Sequence, residues 1–122
     1  MPTSKDVLDT AAKTLKDNAI VELALKDTVN QGTADIAACA KAKAELRGSV
    51  NSMKTAVATL EDKIKELNKG LTALEKNESI MKAPADAKTY KKLQSQFADS
   101  IKTAMTYSKQ LDAAIKKAED VL

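Results

Sequence analysis

Histidine and tryptophan are missing from this chain, and its 122 residues contain one cysteine, three glycines, two prolines and three aromatics. Each shortage excludes something. Without histidine there is no imidazole general base, no Ser-His or Cys-His nucleophilic pair, and none of the Glu-x-x-His sets by which helical bundles hold two irons. A lone cysteine closes no intramolecular disulfide. Gly32, Gly48 and Gly70 stand too far apart to build a phosphate-cradling loop. Tyr90, Phe97 and Tyr107 are too few to fill a thick core, because aromatics supply the largest buried areas.

Charge of one sign does not accumulate either. The 20 basic and 17 acidic residues give a net charge of +3, spread as −1 over residues 1–32, +2 over 33–82 and +2 over 83–122. Interspersed signs describe solvated helix faces, whereas a nucleic-acid or anionic-membrane site calls for a basic block. Nucleic-acid binding is therefore not expected. The longest mainly apolar run, residues 19–25, contains Glu22 and is far too short to span a bilayer. The opening MPTSKDVLDTAAKTLKD lacks the apolar run of a signal peptide. A cytoplasmic chain, or one exported without a cleaved signal peptide, is the expectation.

What is present forms helices. The chain has 21 alanines and is rich in Lys, Leu and Glu, all strong helix formers. The expected fold is all-α: an elongated antiparallel bundle or coiled coil of three long helices, in a single domain over residues 1–122. Helix 1 is expected over about 4–31, opened by a capping box from Thr3 and Asp6 and stopped by Gly32. Its apolar stripe begins at Val7, Leu8, Ala11 and Leu15, then widens at Val21, Leu25 and Val29, which implies more than one neighbour.

Helix 2 is expected over about 34–78 from a sustained seven-residue repeat. Ile36, Lys43, Val50, Val57, Ile64 and Leu71 form one seam set, and Cys39, Leu46, Met53, Leu60, Leu67 and Leu74 the other. β-branched residues dominate the first set and leucine the second, as in two-stranded packing. The repeat keeps its phase across Gly48 and Gly70, which favours a continuous helix; a break near Gly48, giving a four-helix bundle, is the alternative. Asn77, Ser79 and Pro84 end this helix. Helix 3 follows over about 85–122, with Tyr90, Leu93, Phe97, Ile101, Ala104 and Leu111 on its stripe.

Little of this carries chemistry. Cys39 reads as a small seam residue, not as a thiol activated beside Lys41 or Lys43. Glu75 and Glu78, near Lys82 and Asp86, read as solvated turn charges, since their spacing is not that of a calcium loop. Lys88, Lys91 and Lys92 make a polar face around Tyr90. Lys43 on the seam either sets register or lays its methylenes inward with its amine in water. No catalytic residue, metal, cofactor or small-molecule substrate is expected.

Length points to an interaction surface. Helix 1, folded back from Gly32, reaches only as far as about residue 61, and beyond it the hairpin of helices 2 and 3 is two helices thick. Ile64, Leu67, Leu71, Leu74, Tyr90, Leu93 and Phe97 are left partly wet there. They are the candidate interaction surface, to be covered by a second copy in a homodimer or by another helical protein. The expected function is that of a non-enzymatic helical interaction protein: a coiled-coil assembly component, an adaptor or a secretion-type chaperone. An amphipathic protein that lies on lipid surfaces is the alternative, disfavoured by the narrow seam and the few interfacial aromatics.

Overall fold

The capping box forms. Thr3 Oγ1 accepts from the Asp6 N–H at 3.2 Å, and the Thr3 N–H donates to the Asp6 carboxylate at 3.4 Å. It opens α1 (Ser4–Asp17), which is followed by α2 (Glu22–Ala37), α3 (Lys43–Glu75) and α4 (Pro84–Val121), with a 3-10 turn over Glu78–Ile80. Pro84 stands at the first position of α4, where its missing N–H has no partner to lose. The computed structural model describes residues 2–38 and 43–122, apart from the side chain of Leu23, and no strand occurs among them. The chain is all-α. Among the described residues no helix is long and apolar enough to cross a membrane.

Two expected boundaries are corrected. The helix expected over 4–31 breaks at residues 18–21, where there is neither glycine nor proline. Asn18 ends α1 by donating both its backbone N–H and its side-chain amide to the Thr14 carbonyl, at 3.1 and 3.0 Å. Lys63 Nζ donates to the Ala19 carbonyl at 2.7 Å, so groups freed by the break are satisfied. Gly32 then fails to stop a helix, and α2 runs through it to Ala37. No glycine has positive φ, so none serves as a left-handed C-cap. Gly32 instead permits close approach: a Cβ there would come 2.6 Å from Met53 Sδ. Residues 34–37, assigned above to helix 2, belong to α2, and α3 is uninterrupted through Gly48 and Gly70.

Within the expected domain the chain forms two compact units. Unit 1 comprises Met1–Ile20 and Lys63–Thr103. Its core joins Val7, Leu8 and Ala11 of α1 to Leu67 and Leu74 of α3, to Tyr90, Leu93 and Phe97 of α4, and to Met81. Ser4 Oγ donates to the Asp86 carboxylate at 2.6 Å, tying the start of α1 to the start of α4. Gly70 lets these helices close up, since a Cβ on it would lie 2.7 Å from Thr14 Cγ2 and 2.9 Å from Phe97 Cε1.

Unit 2 comprises Val21–Asp62 and Ala104–Leu122. Its buried residues are Leu46, Val50, Met53 and Leu60 from α3 and Ala104, Leu111, Ala114 and Ala118 from α4. The third helix, α2, is held differently from α1. None of its described side chains is buried, Gly32 being its one buried residue, its N-cap Val21 makes no side-chain cap bond, and its ties include a Ser49 hydroxyl bond to Asp35.

The glycines give a paired test. A Cβ at Gly48 meets nothing within 4 Å, so Gly48→Ala is expected to stabilise by about 0.5–1 kcal/mol through helix propensity. At Gly70 the same propensity gain is opposed by overpacking against a buried ring, which costs typically ~1–3 kcal/mol. Gly70→Ala is expected to lower the urea midpoint while Gly48→Ala raises it. Equal shifts of one sign would contradict the close packing at Gly70.

Candidate functional site

The seven residues singled out from the sequence lie in unit 1, and most of them are interior. Leu67 and Phe97 are 0% exposed, Leu74 1%, Tyr90 4% and Leu93 7%. Leu71 is half-buried against the same cluster, and Ile64 is half-buried. The helix ends explain this: α2 runs to Ala37 and α3 begins at Lys43, so α1 packs on the segment of α3 and α4 that a reversal at Gly32 would have left uncovered. Five of the seven are thus packed inside unit 1.

The other residues weighed for chemistry find local roles. Gln94 Nε2 donates to the Glu75 carboxylate at 3.0 Å, and Asp86 is engaged by Ser4. Lys43 is exposed at the first position of α3. Cys39 and Lys41 lie outside the described residues. Among the described residues no cluster of three or more Cys, Asp and Glu side chains is placed to hold a metal ion, and no charged side chain is buried.

The titration of Tyr90 is displaced by its surroundings. Burial pushes its phenol above the ordinary value of 10.0, and the negative charges of Glu78 and then Glu75 add to the effect. The unfolded chain therefore gives up this proton first. The contribution to stability is intact below about pH 10 and is lost as pH rises from there through the folded-state pKa. Thermal melts from about pH 8 to 11 are expected to show the midpoint falling more steeply in the parent protein than in Tyr90→Phe. Parallel curves would contradict a buried phenol.

Open apolar surface collects in unit 2. All four large hydrophobics found exposed, Val21, Met105, Val121 and Leu122, belong to it. Between α2 and α4 runs an open groove of about 760 Å³, walled by Val29 and Ile36 on one side and by Tyr107, Ala113 and Ala114 on the other. Its charged lining residues are Lys26 and Lys117, both exposed. On the other flank of α2, against α3, lies a second groove of about 640 Å³ with a different character. Gly32, Gly48, Ser49 and Ser52 line it, and its charges are Asp27, Asp35 and Glu45. Unit 1 has a smaller groove of about 370 Å³ between α1 and α3, with Asp6, Glu66 and Lys69 mixed along it.

No family model matches the chain. Neither a curated protein nor a solved structure matches it. Function is therefore argued from these surfaces alone.

The groove residues of unit 2 were not selected from sequence, and the period gives no separate signal for them: at about 100° per residue, Val29 and Ile36 fall between the directions of Val7 and Leu8.

Proposed function

We propose that this chain is a non-enzymatic helical protein-binding module that receives an amphipathic helix of a partner in the α2/α4 groove of unit 2. The observation that carries the reading is the open groove itself, which lies in the unit that also holds every large exposed hydrophobic described. Contiguous apolar surface rimmed by polar residues marks interaction sites on folded proteins, and helix-in-groove docking reads side chains spaced three and four apart. The groove extends from Lys26 to Ala37 along α2, about 16 Å at ~1.5 Å per residue. That is the length of about three helical turns. No reaction is assigned to the chain, whose sequence has no histidine.

A single bulky charge on the groove wall tests this. Ala113 is exposed and lines the groove, and Ala98 is exposed on the part of α4 in unit 1. Ala113→Arg is expected to keep the helical circular dichroism and lose specific partners in a quantified pull-down from the native source, while Ala98→Arg retains them. Partner sets identical in both variants would contradict a binding site in this groove.

A further inference from the structure

The two grooves beside α2 are sorted by charge as well as by polarity. The one against α4 combines the apolar walls Val29, Ile36 and Tyr107 with two lysines, and its lining contains no carboxylate. The one against α3 combines hydroxyls and glycines with three carboxylates, and its lining contains no lysine or arginine. A helix that offers an apolar stripe and negative ends is thus attracted to the first groove and repelled from the second. A basic helix meets the opposite field, in the groove with no large apolar side chain to hold it. α2 runs antiparallel to α3, with Asp35 bonded to Ser49 and Gly32 against Met53, and α3 runs antiparallel to α4, with Lys54 paired to Glu119 and Gly70 against Phe97. α2 and α4 are therefore parallel, and Lys26 near the start of its α2 wall stands toward the opposite end from Lys117 near the end of its α4 wall.

Resting on the helix-binding reading above, we propose that the occupant of the α2/α4 groove is an acidic amphipathic helix of about three turns. Its apolar stripe lies against Val29, Ile36 and Tyr107, and carboxylates in its terminal turns meet Lys26 and Lys117. The charges set partner choice and register, and the apolar contact supplies most of the affinity.

Fluorescence anisotropy with two synthetic three-turn peptides tests the proposal. Both carry leucine at three-four spacing and differ only in their terminal turns, which hold glutamate in one and lysine in the other. The glutamate peptide is expected to bind the intact protein roughly fivefold more tightly, the size of two exposed ion pairs, with the difference shrinking as salt rises. In the Lys26→Glu, Lys117→Glu double variant the preference should invert, a comparison that cancels any difference in the peptides' own helicity. Equal binding of both peptides, abolished by Ala113→Arg, would overturn the charge selection and leave the groove reading standing. No binding of either peptide would overturn both. Two further outcomes also overturn the proposal: sedimentation of the protein alone as a dimer that Ala113→Arg dissociates, which puts a second copy in the groove, and co-sedimentation with phosphatidylserine vesicles, which puts a lipid surface there.

Discussion

Truncation of Phe97 to alanine is expected to lower the free energy of unfolding by about 3–5 kcal/mol, a large share of the ~5–15 kcal/mol available to a small protein. Phe97 is the only phenylalanine in the chain and is 0% exposed. Its ring closes the centre of the unit 1 core, near enough to Gly70 that a Cβ there would stand 2.9 Å from Cε1. The cavity left by its removal adds to the lost transfer energy. Urea unfolding followed by circular dichroism measures the loss. Hydrogen exchange should locate it, with the amides of α1 losing protection because Val7, Leu8 and Ala11 pack into the same cluster. A shift of under 1 kcal/mol would contradict the placement of Phe97.

Leu67→Asp is expected to have a still larger effect and to melt unit 1 at neutral pH. Leu67 is fully buried in the same cluster. The substitution forfeits the leucine, worth about 2–5 kcal/mol on truncation alone. It also places a carboxylate where no cation is buried to receive it, so the acid must either take up a proton or drag water in. Far-UV circular dichroism should lose amplitude, with partial recovery toward low pH as the acid is neutralised. Were Leu67 instead part of a surface awaiting a partner, the variant would retain its helix content and lose only assembly. Full helicity in Leu67→Asp would restore that surface reading.

The contrast between these two views of Leu67 shows what was legible in the sequence. The seven-residue repeat marked buried positions well: Leu46, Met53, Leu60, Leu67 and Leu74 are all exposed by 1% or less. The capping box at Thr3 and Asp6 and the span of α4 were also readable, because each depends on chemistry local to a few residues. The break at residues 18–21 was not. Asn18 and the Lys63 amine complete it, and Lys63 is brought there only by tertiary packing. Gly32 misled in the same way, since it serves close approach between helices and does not stop one. The ends of the helices set the reach: a reversal at Gly32 leaves the Leu67 and Phe97 end bare, whereas with α2 running to Ala37 and α3 beginning at Lys43, α1 packs on it. The groove residues Val29, Ile36, Tyr107 and Ala113 were hidden for a further reason: an open groove depends on what fails to fill it, and a repeat of apolar residues records only what is filled.

Residue-resolved mapping of the groove tests the account most directly. In a titration of isotope-labelled protein with the glutamate-ended three-turn peptide, followed by amide and methyl NMR, the account predicts shifts confined to unit 2. They should centre on Val29, Ile36, Tyr107, Ala113 and Ala114, with Lys26 and Lys117 at the limits, while Leu67, Leu74, Leu93 and Phe97 stay unmoved. Shifts centred on those last four residues, or on the carboxylate-lined groove at Asp27, Asp35 and Glu45, would contradict it.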